Sequence, residues 1–504
     1  MNLFRTKSIE QSLRDTDEPE YKLNKTLSAF DLTVFGVGII VGAGIFTLTG
    51  RAANQVAGPA VVVSFILAAI CCGLAALCYA EFSSAVPVSG SAYTFSYASM
   101  GEIIAWIIGW DLILELLLAA AVVAQGWSAY VGVLLGHMGI QLPANFSYGG
   151  TVDVPAVLLA LFLGLLVSMG IKESMRVETI MVGVKIAIVL FVVVAGIGYI
   201  NPSNYTPFVP APVPSEGIDS IWKQPLVQAA FGLQPTAFGL GGILAGAALV
   251  FFAYLGFDVV ATAAEETKNP QRDLPRGILG SLLIATVLYC AVSVVVTGMV
   301  SYDKLEPSAS LAQAFAFHGK AWMSTLIAAG AVVGLFTVVL TMIIGCSRLI
   351  FAMCRDNLLP MRLATVHPKY RTPTKITAII TAVIALLAGF TPIGTLEEMV
   401  NIGTLSAFIL VSIGIPVMRR THPDLERPFK VPFSPFLPIL SAVICVGLTL
   451  NLAVETWLRF VLWLLLGIAV YFGYGYRHSR LATGKQLSPS IEAAVAADRR
   501  PEHE

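Results

Sequence analysis

Residues 36–46 read Gly36-Val37-Gly38-Ile39-Ile40-Val41-Gly42-Ala43-Gly44-Ile45-Phe46, four glycines among eleven uncharged residues. They lie inside the first apolar run of the chain. A run of about 20 apolar residues crosses hydrocarbon as a helix, because backbone groups left unpaired in lipid are too costly for open structure. Each glycine costs a helix interior about 1 kcal/mol relative to alanine, so the cluster marks a place where the helix is expected to open. Glycine also lets the backbone leave helical geometry and approach a ligand closely. A competing reading is close helix packing of the GxxxG kind, which Gly38 and Gly42 fit. A dinucleotide loop is a weaker reading still, since no strand precedes the glycines and no βαβ unit surrounds them.

A second flaw follows in the sixth apolar run. Gly239 to Gly246 is glycine-rich and leads into Phe251-Phe252-Ala253-Tyr254-Leu255-Gly256-Phe257-Asp258. The first and sixth runs hold corresponding places in two halves of five spans each. An odd number of spans per half inverts the second half. Paired broken helices in inverted repeats point to a transporter binding site near the bilayer midplane. Free N–H groups at a half-helix start suit a carboxylate, and free C=O groups at a half-helix end suit an ammonium. The expected ligand is therefore a small zwitterion.

Composition agrees with a membrane protein. Of 504 residues, 56% are hydrophobic and 12% charged, against roughly a quarter charged in soluble domains. The mean hydropathy is +0.79. Val61 to Leu77, Leu190 to Ile200, Gly239 to Phe257 and Ile278 to Val300 carry no charge. The expected fold is all-α and integral to the membrane, with twelve transmembrane helices. It is a five-plus-five inverted repeat with discontinuous helices 1 and 6. The spans run 29–50, 57–80, 102–135, 154–171, 177–200, 239–263, 277–300, 321–353, 375–392, 395–418, 433–455 and 457–476. The domain reading is a cytoplasmic tail 1–28, a first repeat 29–200, an external loop 201–238, a second repeat 239–418, two further spans in 419–476 and a cytoplasmic tail 477–504.

Orientation follows from the basic residues. Of the 31 Lys and Arg, Arg51, Lys223, Lys304, Lys320 and Arg459 fall on outer segments and Lys185 inside the fifth span; all others fall on inner segments. That asymmetry places both termini in the cytoplasm by the positive-inside rule. Residues 1–28 are too polar for a signal peptide, and 486–504 read as disordered. The seven cysteines sit in or beside apolar runs and read as small packing residues. The six histidines show no ligand spacing, so no metal or cofactor is expected. The formal net charge is zero and gives no hint of a nucleic-acid partner.

Charges within the spans are functional candidates by default. Lys185 lies about eight residues, or roughly 12 Å, into the fifth span. Desolvation lets such a lysine exchange protons near neutral pH. Asp111 and Glu115 are spaced i, i+4 and share one face of the third span. They could neutralise Lys185, relay protons or meet a cationic side chain, and helix faces alone do not choose among these. Glu115 is placed near the substrate cavity and Asp111 in a structural or gating role. The string Glu265 to Arg276 reads either as a helix stop with a charged loop or as a gate paired with Arg348, Arg355 and Asp356.

Several strings carry a family resemblance. Gly38 to Phe46, Pro87-Val88-Ser89-Gly90-Ser91-Ala92-Tyr93, Phe252 to Asp258, Glu265 to Ile278 and Arg348 to Pro360 resemble the amino acid–polyamine–organocation superfamily. The Glu-Glu-x-x-Asn-Pro string from Glu265 and Gly109-Trp110-Asp111-Leu112-Ile113-Leu114-Glu115 are similar to its cationic amino acid transporter branch. The resemblance covers residues 29 to about 430. It implies that Ile40, Ala43 and Gly44 hold the substrate carboxylate and that Phe252, Ala253 and Leu255 hold the amine, with Phe252 as the gate. Glu115 is the side-chain pocket candidate. It also implies that Lys185, lying between helices 1 and 8, couples transport to protons, with Thr337 and Thr341 as candidate neighbours.

These readings converge on a secondary active amino acid transporter of the plasma (inner) membrane. Its partners would be an L-amino acid, protons and the lipid bilayer. The alternatives are an exchanger without proton coupling and an amino acid receptor that moves nothing. No G-x-x-x-x-G-K-[ST] string is present to drive transport with ATP, and no nucleophile–base–metal set suggests an enzyme.

Overall fold

The structure, a computed structural model, describes residues 5, 25–86, 91–170, 175–215, 220–367, 370 and 372–483. Residues 87–90 of the inner-loop string, the N-terminal tail other than Arg5 and 25–28, and the C-terminal segment 486–504 expected to be disordered lie outside the described residues.

Among the described residues, twelve apolar helices are labelled α1 (Ala29–Ile40), α2 (Val61–Ala85), α3 (Glu102–His137), α4 (Val154–Ser168), α5 (Met175–Ile197), α6 (Gly239–Val250), α7 (Pro270–Met299), α8 (Ala321–Arg355), α9 (Thr374–Phe390), α10 (Ile393–Thr421), α11 (Phe436–Thr449) and α12 (Val454–Val470). Eight helical stretches are long and apolar enough to cross a bilayer, counting 44–85 and 239–264 as single stretches. The helices α1, α4, α9 and α11 are shorter but equally apolar. The chain is thus a helical integral membrane protein. Its surface carries large apolar side chains, such as Leu458, Leu462 and Leu465 on α12 and Leu240 on α6, because lipid is its solvent.

Local chemistry fixes the helix starts. Ser28 and Asp31 close α1 with a reciprocal capping box, which satisfies two orphan amides. Asp153 caps α4 by accepting from Ala156 N at 3.2 Å. The seventh helix starts at Pro270, ahead of the expected 277, and contains Pro275. Proline at a first helical position sacrifices no bond, so the string Glu265 to Arg276 is divided between a helix end and the next helix start.

Helix α3 packs along α8, α2 along α7 and α4 along α9, and α7 also packs on α1 and α10 on α3. One face of the bundle holds the Arg51–Glu397 ion pair between the segment after α1 and the start of α10. The described parts of the 201–238 connection reach this face, through Phe238 N to Val56 O at 2.7 Å and Leu226 N to Leu452 O at 2.9 Å. The opposite face holds Glu81, fully buried, which accepts from Arg419 Nε at 2.8 Å, Arg419 Nη2 at 2.6 Å and Val431 N at 2.6 Å. On the Glu81 face, Lys268 N donates to Leu27 O at 2.9 Å, so the start of the described chain straps the end of the sixth span.

Candidate functional site

Both flawed segments are open. Helix α1 ends at Ile40, and Val41 turns out of helical geometry with φ −75° and ψ 80°. The chain rewinds from Gly44, first as a wide π-turn to Leu48. In a continuous helix Gly42 N would bond to Gly38 O. Here Gly42 N donates to Ile40 O at 2.8 Å, which takes Gly38 O out of the helical ladder.

The second break follows α6. A tight turn over Phe251–Tyr254 leads to Leu255 in extended geometry, with ψ 145°. Gly256 then adopts φ +108°, and a Cβ there would lie 2.3 Å from Ile39 Cγ2. Only glycine tolerates that backbone at low cost.

The two breaks touch. A Cβ on Gly44 would lie 2.3 Å from Ala253 Cα. Ile40, Ala43, Phe252, Ala253 and Leu255 are all buried. Tyr289 of α7 spans the junction, its hydroxyl lying 2.6 Å from Ile40 O and 2.7 Å from Ala253 O. Those carbonyls sit at helix ends, where the regular ladder supplies no donor. The structure therefore gathers all six residues expected to hold the substrate's charged ends, and adds a phenol between the two segments.

Lys185 is 1% exposed. Its Nζ donates to Gly38 O at 2.7 Å, the carbonyl that the first break released. The stem lies on Gly334 of α8, where a Cβ would stand 2.9 Å from Lys185 Cγ. Lys185 thus reaches α1 through its Nζ and α8 through its aliphatic stem. Thr337 and Thr341 give their hydroxyl protons to Gly334 O and Thr337 O along α8, both at 2.9 Å.

A family model described as amino acid permease matches residues 27–473. The chain belongs to the amino acid permease family. Among its relatives, the branched-chain amino acid permease BcaP of Bacillus subtilis is 44% identical over 95% of this chain and 99% of its own length. The methylthioribose transporter of the same organism is 43% identical over the same shares. The vacuolar cationic amino acid transporter 4 of Arabidopsis thaliana is 36% identical over 84% of this chain and 68% of its own. This permease is accordingly a multi-pass membrane transporter and not an enzyme.

Other expected residues of the permease fall elsewhere. Glu115, 4% exposed, lies beside the Thr404 hydroxyl of α10 and near the carboxyl groups of Asp258 and Asp111. These carboxyl groups lie toward α10 and the segment after α6, while Lys185 Nζ bonds to α1. Neither oxygen of Asp111 has a hydrogen-bond partner among the described residues. Asp356 accepts from Tyr93 at 2.7 Å. The cysteines are buried apart from the half-buried Cys290, as packing residues would be. No group of three or more His, Cys, Asp or Glu with metal-binding geometry occurs among the described residues.

Sequence reading missed two features. Tyr289 was passed over within an apolar run, although a lone buried hydroxyl demands a partner. Arg51 was counted only as an outer charge, and its partner Glu397 lies 346 positions away, beyond any local pattern.

Proposed function

We propose that this permease is a secondary active transporter of L-amino acids, working by alternating access and coupled to protons. The observation that carries the reading is the bridge between the breaks: one phenol joins carbonyls of two opened helices, in contact through Gly44 and Ala253. The amides near Ala43 and Gly44 hold the carboxylate. The carbonyls of Phe252, Ala253 and Leu255 hold the ammonium, and the Phe252 ring covers the occupied site.

The apolar side chains at the breaks favour a neutral, branched substrate, in keeping with the BcaP relatives. Glu115 would face the substrate side chain and tune preference toward cationic substrates. Lys185 carries the coupled proton. Losing that proton weakens its bond to Gly38 O and frees α1 to move against α8. The pairing of α2 with α7, α3 with α8 and α4 with α9 supports a twelve-span, five-plus-five inverted repeat. The Arg51 face is external, both termini are cytoplasmic, and the protein sits in the plasma (inner) membrane.

The test is uptake of radiolabelled leucine, lysine, arginine and methylthioribose by reconstituted vesicles, with and without an inward proton gradient. Leucine accumulation that grows with the gradient is expected. The methylthioribose relative gives the second reading: uptake of that uncharged sugar, with no amino acid moved, would replace the first.

A further inference from the structure

A cavity of about 460 Å³ opens on the Arg51 face, away from the helix breaks. Its volume lies within the range of small-ligand sites. Arg51, Tyr148, Lys223, Glu398 and Glu455 line it, so both signs of charge converge there. Arg51 is half-buried and paired with the buried Glu397, and its Nε lies 3.3 Å from Gln55 Oε1. Its Nη2 edge borders Gly394, where a Cβ would come within 2.6 Å. Gly394 belongs to the first turn of α10; Thr395 N there already donates to Pro392 O at 3.1 Å, which leaves the amides of Ile393 and Gly394 without an intrahelical acceptor. A guanidinium fork beside a helix N-terminus is a strong carboxylate receptor.

The remaining groups suit the other end of a zwitterion. Glu455 is engaged by Arg459 at 3.0 Å, which leaves Glu398 as the anion for an ammonium. Glu398 is half-buried and accepts the Thr456 hydroxyl. Burial, and then the Glu397 charge, push the Tyr148 phenol up to about 12, so it stays a neutral donor at the cavity edge.

We propose that this cavity is a reception site for a zwitterionic amino acid, with the carboxylate on Arg51 and the first turn of α10 and the ammonium on Glu398. The inference rests on the amino acid reading above. The incoming carboxylate competes with Glu397 for the guanidinium. Occupancy therefore loosens the one described ion pair that joins the rewound segment after α1 to α10. The reception site and the ion pair to Glu397 share a single arginine.

The test places a cysteine at Thr395, which also lines the cavity, in the full-length protein in vesicles. Labelling by a charged, membrane-impermeant methanethiosulfonate is timed with and without leucine. Leucine is expected to slow labelling severalfold, including in a Phe252→Ala background that no longer transports. Arg51→Gln and, separately, Glu398→Gln are expected to abolish the protection; the second variant keeps the Arg51–Glu397 pair and so guards against misfolding. Leucine amide and N-acetyl-leucine, which each lack one charge, are expected to give none. Three outcomes overturn the proposal: leucine transported without protecting Thr395→Cys, protection that disappears with Phe252→Ala, or equal protection by acetate. A wild-type protein that moves no amino acid overturns the reading beneath it instead.

Discussion

Lys185 donates to the carbonyl of Gly38 at 2.7 Å, and that carbonyl is available because Gly42 N has turned to Ile40 O. The break in the first span and the buried cation are therefore one arrangement. An ammonium at this depth is expensive, and the released carbonyl is part of what offsets it. Any movement that rewinds 38–42 makes Lys185 share this acceptor with Gly42 N.

Replacing Lys185 with methionine keeps the apolar stem and removes the charge. Lys185→Met is expected to abolish leucine accumulation driven by a proton gradient while sparing exchange of internal for external leucine. Parallel uptake and counterflow assays on one preparation read this out. Accumulation that still follows the gradient would remove Lys185 from the coupling.

Tyr289→Phe deletes one hydroxyl; Ile40 O keeps its bond from Gly42 N, while Ala253 O loses the phenol as donor. A buried polar group left unpaired costs about 1–3 kcal/mol. The variant is expected to fold with a lowered thermal midpoint and to lose most of its maximal transport rate. Both follow from thermal unfolding in detergent and initial-rate uptake.

The glycines of the first span are expected to differ in tolerance. Gly44→Ala drives a methyl onto the Ala253 backbone, whereas at Gly42 the nearest foreign atom is Val338 Cγ2, a side-chain carbon at 3.3 Å. Gly44→Ala should eliminate transport, and adding Ala253→Gly should not rescue it, since Ala253 Cα itself lies 2.3 Å away. Gly42→Ala should retain a large part of the activity. Uptake by the three variants, normalised to protein in the membrane, gives the comparison.

Asp153 gives a pH dependence of stability with a definite sign. It lies ahead of α4, and burial raises its carboxyl to about 6, above the ordinary value of about 3.9. The native state holds the proton more tightly than the unfolded state between those values. This group's contribution to stability is therefore greatest below the unfolded pKa and is lost as pH rises through about 6. Asp153→Asn keeps an N-cap oxygen and should flatten that slope in thermal unfolding followed from pH 4 to 8.

How far these features could be read in the sequence depended on their range. Both breaks were legible because glycine clusters in apolar runs conflict locally with a helix. Lys185 was legible because a charge stands out against hydrocarbon. The start of α7 was misplaced because prolines 270 and 275 look like a stop, although a first-turn proline fits a helix start. The bonds of Tyr289 and the pairs Arg51–Glu397 and Glu81–Arg419 were not legible, since each joins residues far apart in the chain. The partners of Glu115 depend on how α3 turns toward α10, and helical spacing alone does not fix that rotation.

The central claim is that opened backbone in two spans holds the charged ends of the substrate. Cryo-electron microscopy of the full chain with L-leucine measures it directly. The expected map shows leucine between 40–44 and 252–255, its carboxylate at the amides near Gly44 and its ammonium at the carbonyls of Phe252, Ala253 and Leu255. Leucine seated elsewhere, or both segments wound as continuous helix around no ligand, would contradict it.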